Sequence, residues 1–237
     1  MPAPAPHVTL TFFRFPWGER RWAMAQMHRM QAPLRQVDGL QFFKLLGTGG
    51  GSGYSFWPDL GTWAVLGAWR EEQAAVAFHA AHPAHRAYLD HAQEAFTLHL
   101  RPFQSRGAWS GANPFASGAA AEGLPLAVLT RATIKPGYTL PFWWRVGRVA
   151  RSLEGRDGLL FTKGVGERPW VEQATFSVWR SQQDMHAFAH ARGSMHAEAI
   201  ARTRQGAGFR EELYARFSVL HTTGSWHGHD PIARARG

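Results

Sequence analysis

The sequence predicts an α+β fold made of two ferredoxin-like β-α-β-β-α-β modules in tandem, and three observations lead there. The stretch GTWAVLGAWREEQAAVAFHA (Gly61 to Ala80) is echoed by VEQATFSVWRSQQDMHAFAH (Val171 to His190), with Trp69 and Trp179 lying 110 positions apart. Arg70/Arg180, Gln73/Gln183 and Phe78/Phe188 keep that offset, and in each copy an alternating strand ends in Trp-Arg and runs into a helix. Each copy is followed later by a G-x-W-x-G pentapeptide, GAWSG (Gly107 to Gly111) and GSWHG (Gly224 to Gly228).

The elements follow in order. Val8 to Phe15 is rich in β-branched and aromatic residues and reads as a strand ended by Pro16, Trp17 and Gly18. Glu19 to Arg35 carries Trp22, Met24, Met27 and Met30 among basic residues, which predicts a helix closed by Pro33. Leu40 to Leu46 is a second strand, and GTGGGSG (Gly47 to Gly53) a flexible loop. Gly61 to Trp69 is a third strand, Glu71 to Gln93 a helix interrupted at Pro83, and Ala95 to Phe103 a fourth strand. Small residues from Gly111 to Gly123 read as a linker. The second copy repeats the order: strand Leu126 to Ile134, helix Tyr138 to Leu153, strands Leu159 to Lys163 and Val171 to Trp179, helix Ser181 to Gln205, strand Tyr214 to Leu220. The organisation is thus a first module at 1–111, a linker at 112–125, a second module at 126–228 and a basic tail at 229–237. Two such units are expected to pack sheet against sheet and to leave a hollow, lined by aromatics, between sheets and helices.

The absence of cysteine excludes disulfides, thiolate metal sites, iron–sulfur clusters and cysteine nucleophiles. The start MPAPAPHVTL has no signal-peptide pattern, and no apolar run reaches the ~18 residues of a membrane span, so a cytoplasmic protein is expected. A net charge of +9 favours anionic partners. The arginines are scattered, however, and no basic helix or aromatic-basic strand marks a nucleic-acid module. No G-x-G-x-x-G, G-K-[ST] or G-x-S-x-G motif occurs, which removes the common nucleotide and hydrolase readings.

Chemistry must therefore rest on His, carboxylates, Tyr or a cofactor. His85 and His196 occupy similar places in the two modules. Ala197, Ala199 and Ala201 around His196 would let a flat macrocycle approach, with the imidazole as an axial iron ligand; a capped histidine near a helix start is the alternative. His186 and His190 share a helix face at i, i+4, and His79, His82 and His85 straddle Pro83; scattered surface histidines explain both better than metal sites. The segment GVGERPW (Gly164 to Trp170) combines a Gly-x-Gly, polar Glu167 and Arg168, and a Pro169-Trp170 stop. Together with Phe142, Trp143, Trp144 and Arg145 it can line a pocket mouth, or it can be a turn closed by a packed Trp.

The pieces FFRF, FFKLLGTG, RGAWSG, LTRATI, GVGERPW, TFSVW, MHAEAI and EELYARF, in that order from about Thr9 to Gly228, resemble the spheroidene monooxygenase family of acyclic carotenoid oxygenases. The resemblance implies oxygen insertion at C-2 of a linear carotenoid, giving hydroxy and then keto products. It implies a haem iron and electrons from a reduced ferredoxin. The chain is also similar to the dimeric α+β barrels that bind haem in chlorite-dismutase-like proteins, where a helix histidine of the C-terminal module is proximal. On this chain that residue is His196. The same reading gives Arg145 and Arg168 to the haem propionates, and Trp144, Glu167 and Trp170 to the substrate. The implied partners are an acyclic carotenoid, O2 and an acidic ferredoxin steered by the basic surface. Contact with the inner face of a membrane and a homo-oligomeric state are left open. The rival expectations are a haem-handling protein of the same fold and a cofactor-free small-molecule binding barrel.

Overall fold

The computed structural model describes residues 7–51, 55–144, 156–190 and 208–233. In the first half, β1 (His7–Arg14) alternates Val8, Leu10 and Phe12 on one side with Thr9, Thr11 and Phe13 on the other, and seven of its eight residues are buried. A strand covered on both faces leaves few polar positions, which is why this stretch reads as nearly continuous apolar and β-branched chain. It leads into α1 (Arg20–Arg29), α2 (Gln31–Arg35), β2 (Leu40–Gly49), β3 (Pro58–Trp69), α3 (Glu72–Ala81), α4 (Pro83–His91) and β4 (Glu94–Gly107). The second half contains β5 (Leu126–Ile134), a 3-10 turn (Pro136–Tyr138) that continues as helical residues 139–144, β6 (Leu159–Arg168), β7 (Glu172–Trp179), α5 (Gln182–His190) and β8 (Phe209–Gly224).

Pro33 has a different role from the expected one. Pro33 lies in the first turn of α2, where its missing N–H is not needed, so it starts a helix instead of closing one. Pro83 interrupts the helix as expected, ending α3 and opening α4, and the His82 ring accepts the Ala84 N–H at 3.2 Å as the cap. The glycine run also differs. Gly47, Thr48 and Gly49 belong to β2, so the expected loop begins only after them.

All eight strands pair antiparallel in one closed barrel, in the order β1-β3-β2-β6-β7-β5-β8-β4. The two half-sheets face each other across the interior, where Phe12 packs on Phe161 and Phe176. They also join edge to edge, through a short seam at Gly47↔Gly166 and Thr48↔Val165 and a long one between β4 and β8. Closure satisfies the backbone edges that face-to-face packing would leave open. The interior is solid core, with Leu10, Phe12, Phe96, Leu98, Phe176 and Phe217 all at most 1% exposed.

The pentapeptides close the barrel ends. Trp109 and Trp226 belong to the central core, and each lies in a turn with a left-handed residue, Ser110 (φ 59°) or His227 (φ 54°). Each turn is held by a strand carboxylate. Glu211 accepts from the Ser110 and Gly111 N–H groups at 3.0 and 2.7 Å, and Glu94 accepts from the Gly228 N–H at 2.7 Å and the Ser225 hydroxyl at 2.9 Å. Burial alone would raise the Glu94 pKa, but these donors together with Arg14 hold it down at about 2. A Cβ on Gly107 or Gly224 would collide with a backbone carbonyl, of Glu212 or Ala95 respectively, so glycine is required there.

The repeat extends past the pentapeptides, to GAWSGANPF (107–115) and GSWHGHDPI (224–232). Asn113 and Asp230 accept the N–H groups of Phe115 and Ile232 in equivalent turns, at 3.1 and 2.8 Å, and both apolar residues enter the core. Phe115, near the start of the expected linker, and Ile232, in the expected tail, thus pack in the barrel core.

Candidate functional site

The two halves can be compared position by position, because the ladder pairs of β5 with β7 repeat those of β1 with β3. On the outer face of the first half, Phe13 opposes Trp63, Thr11 and Leu45 both oppose Val65, and Phe43 opposes Gly67. These side chains pack under α1–α4 in two apolar clusters. The void that remains between sheet and helices is about 10 Å³, barely room for one water.

At the same positions of the second half, Ala132 opposes Gln173, Thr130 and Gly164 both oppose Thr175, and Thr162 opposes Ser177. Bulky groups have given way to small or polar ones. The Trp179 end of this face is covered: Met185 and Phe188 of α5 pack with Leu126, Val128 and Trp179. Towards the other end Thr130 is exposed, whereas its counterpart Thr11 is 2% exposed. Among the described residues, the aromatic cluster of Phe13, Phe15, Trp63 and Tyr88 has no second-half equivalent.

At the Ala132 end of the sheet lies an open groove of about 730 Å³, lined by Phe56, Leu140, Pro141, Trp143 and Trp144. Its walls come from the β2–β3 loop and from the helical residues after β5. Phe56 sits edge-on to Trp143 with centroids 5.6 Å apart, and Trp170 lies 5.6 Å from Phe56. The Trp143 indole donates to the Trp170 carbonyl at 3.2 Å, and the Trp170 indole donates to the Phe56 carbonyl at 3.1 Å. The Lys163 ammonium, in the barrel end beside Trp226, donates to the Gly51 carbonyl at 2.7 Å and so ties the loop to β6. Burial pushes the Lys163 pKa down. Gly208 is needed on the far side, because a Cβ there would enter the Tyr138 ring.

The sequence-predicted residues are divided among different places. Trp144 and Trp170 stand at the groove, 74% and 40% exposed, and Trp170 occupies the hairpin between β6 and β7 with φ 66°. Glu167 points into the barrel end instead. It accepts from the Trp109 indole at 2.5 Å and from Lys44 at 2.6 Å, and lies 3.9 Å from Arg131. Arg131 is 3% exposed and also pairs with Glu211, so Glu167 belongs to a buried charge network that no local motif reveals. Arg168 is 76% exposed on its side chain and lies 3.5 Å from Glu172. His196 and Arg145 lie outside the described residues.

The first-half histidines converge after all. His79 and His85 lie 4.7 Å apart, and His7 shares a 3.0 Å hydrogen bond with His99, on which His221 stacks at 4.0 Å. Desolvation, then neighbouring histidines, lowers His85 to about 4; burial likewise brings His99 to about 3. Burial thus favours the neutral form of His85 and His99, and no group of three metal-ligating side chains forms among the described residues.

No protein-family model matches the chain. It is 39% identical over 232 residues to the spheroidene monooxygenase of Rhodobacter capsulatus, covering 96% of both chains. It belongs to the spheroidene monooxygenase family. The same enzyme from Cereibacter sphaeroides is 36% identical over 96% of this chain and 71% of the relative. Among solved structures, an aldoxime dehydratase superposes with a TM-score of 0.61 at 14% identity, over 91% of this chain and 81% of that one. That likeness shows a shared fold. The small-residue face and the groove are therefore features of a monooxygenase-family barrel.

Proposed function

We propose that this spheroidene monooxygenase-family protein is a haem-dependent monooxygenase that oxidises an acyclic carotenoid at C-2, to hydroxy and then keto products, with O2 and a reduced ferredoxin. The observation that carries the cofactor reading is the exchange of Phe13, Leu45, Phe43 and Trp63 for Ala132, Gly164, Thr162 and Gln173 at matched ladder positions. A flat macrocycle laid on that face would meet small side chains, whereas the first half has no space for one. Those small side chains are what supports the group on this face. When bound, haem supplies the iron that activates O2 for insertion into a C–H bond.

His196 is the proposed iron ligand, with Arg145 and Arg168 towards the propionates. Trp144 and Trp170 contact the polyene, and Glu167 steadies the end of the strand that carries Trp170. A groove walled by aromatic faces accepts a long apolar chain without desolvating polar groups. Such a chain enters end first, which favours oxidation close to its terminus. The hydroxyls of Thr130 and Thr175, opposed across the β5–β7 ladder, can hold water at the face. The halves are read as ferredoxin-like modules, on the support of their matching orders β4-β1-β3-β2 and β8-β5-β7-β6.

The test is spectroscopic and chemical. Purified protein should show a Soret band that His196→Ala loses and His85→Ala keeps; the reverse pattern would overturn the ligand assignment. With a linear carotene, O2 and reduced ferredoxin, the product should gain one oxygen atom. An unaltered carotene beside an intact Soret band would favour a haem carrier.

A further inference from the structure

The rim around the groove is more apolar than binding one small molecule requires. Trp57, Leu140 and Trp144 are 72%, 79% and 74% exposed, and Phe56 joins Trp57 edge-on at 5.6 Å. The segments that carry this rim, residues 55–58, 136–144 and 169–171, contain no charged side chain. Lys135 and Arg168 border them in the chain, as do Asp59 and Glu172, the last lying 3.5 Å from Arg168; the protein carries +9 overall. Contiguous exposed apolar surface of this kind marks an interaction face.

The chemistry of the face selects its partner. Trp143 and Trp170 spend their indole N–H groups on backbone carbonyls, so they offer ring faces and not donors. An acidic soluble protein would have to desolvate carboxylates against such a surface without hydrogen bonds in return. Tryptophan and leucine projecting from segments without charge, on a protein of net charge +9, suit the membrane–water interface. There indoles settle at headgroup level, and basic side chains meet anionic lipid.

We propose that this rim docks on an anionic lipid bilayer and that the groove is where an apolar substrate leaves it. The second part rests on the carotenoid reading; the first does not. In a flotation assay, the full-length protein should bind vesicles of mixed phosphatidylcholine and phosphatidylglycerol. It should bind phosphatidylcholine alone more weakly, and added salt should reduce binding to the mixture. Trp57→Ser with Leu140→Ser should lower the partition coefficient about a hundredfold, roughly tenfold for each side chain withdrawn, with far-UV circular dichroism and the urea midpoint unchanged. If that pair perturbs folding, bromine-labelled lipid should still quench the tryptophan fluorescence of the wild-type protein.

No flotation with either vesicle, or equal partition of the wild-type and doubly substituted proteins, would overturn the proposal. Equal binding to neutral and anionic vesicles would overturn its electrostatic part. A concentration-dependent dimer that the double substitution abolishes, without vesicle binding, would assign the face to a second copy of the chain. Oxidation of a carotene supplied in detergent micelles by a protein that ignores vesicles would sink the docking surface and leave the enzymatic reading standing. Vesicle binding without oxidation in either medium would do the reverse.

Discussion

The barrel plug at Trp109 offers a sharp test of how the two halves are joined. Trp109 is 1% exposed and packs edge-on against Phe42 at 5.7 Å, with the Lys44 and Arg131 cations each 5.7 Å from its ring. Its indole also gives Glu167 a hydrogen bond. Trp109→Ala removes the ring and the donor together. The lost burial and the cavity should cost about 3–5 kcal/mol, and leaving Glu167 one donor short about 1–3 kcal/mol more. Against a total stability of roughly 5–15 kcal/mol, that is enough to unfold a marginal protein. Trp109→Phe keeps most of the volume and should show mainly the cost of the lost donor, about 1–3 kcal/mol. Urea unfolding followed by circular dichroism measures both, provided the denaturant slope stays constant. A Phe variant as unstable as the Ala variant would show that packing at the barrel end contributes little. An Ala variant within about 1 kcal/mol of the wild type would show that Trp109 does not close the barrel at all.

Three other outcomes can be checked alongside. Gly107→Ala and Gly224→Ala, which drive a methyl into a backbone carbonyl, should cost several times more than Gly111→Ala. That residue has φ 82° but open space around it, so the change should cost only about 1 kcal/mol in melting experiments. The buried histidines should make stability acid-sensitive in a defined window. Their folded pKa values lie below the ordinary 6.5, at about 4 for His7 and His85 and about 3 for His99, so the unfolded chain takes up more protons. Stability should therefore be flat above about pH 7 and fall as the pH drops from about 6.5 towards 4. His85→Phe should flatten part of that slope, and an unchanged pH profile would refute the assignment. Finally, Ala132→Phe combined with Gly164→Leu rebuilds first-half bulk on the second-half face. Haem titration should then lose its Soret signal while the urea midpoint of the barrel persists; full haem uptake would move the cofactor site elsewhere.

Much of the strand pattern was legible because burial on two faces leaves a local mark. The run from Val8 to Phe15 and the Trp-Arg ends at Trp69 and Trp179 fall within one residue or so of the observed strand ends. The helix interruption at Pro83 leaves a local mark, whereas Pro33 reads the same as a breaker or as a first-turn residue until the neighbouring turn is seen. At the candidate site, Trp144 and Trp170 were recognisable from their aromatic setting. Glu167 was singled out for its polarity, but its partners Lys44, Trp109 and Arg131 lie 123, 58 and 36 positions away, and nothing local predicts such a meeting. The plug leaves its own mark in the sequence, since N/D-P-apolar continues both pentapeptides.

By itself, the sequence determined the duplication, the order of strands and helices, the lack of thiol chemistry and the family, because each is written in periodicity, composition or collinear motifs. The tertiary structure alone decided how the halves meet. Pairing register is a long-range choice: Gly47 against Gly166 and β4 against β8 turned two sheets into one barrel. The same register aligned Phe13 with Ala132 and Leu45 with Gly164, and only that alignment exposes the difference between a face of bulky side chains and one of small or polar side chains.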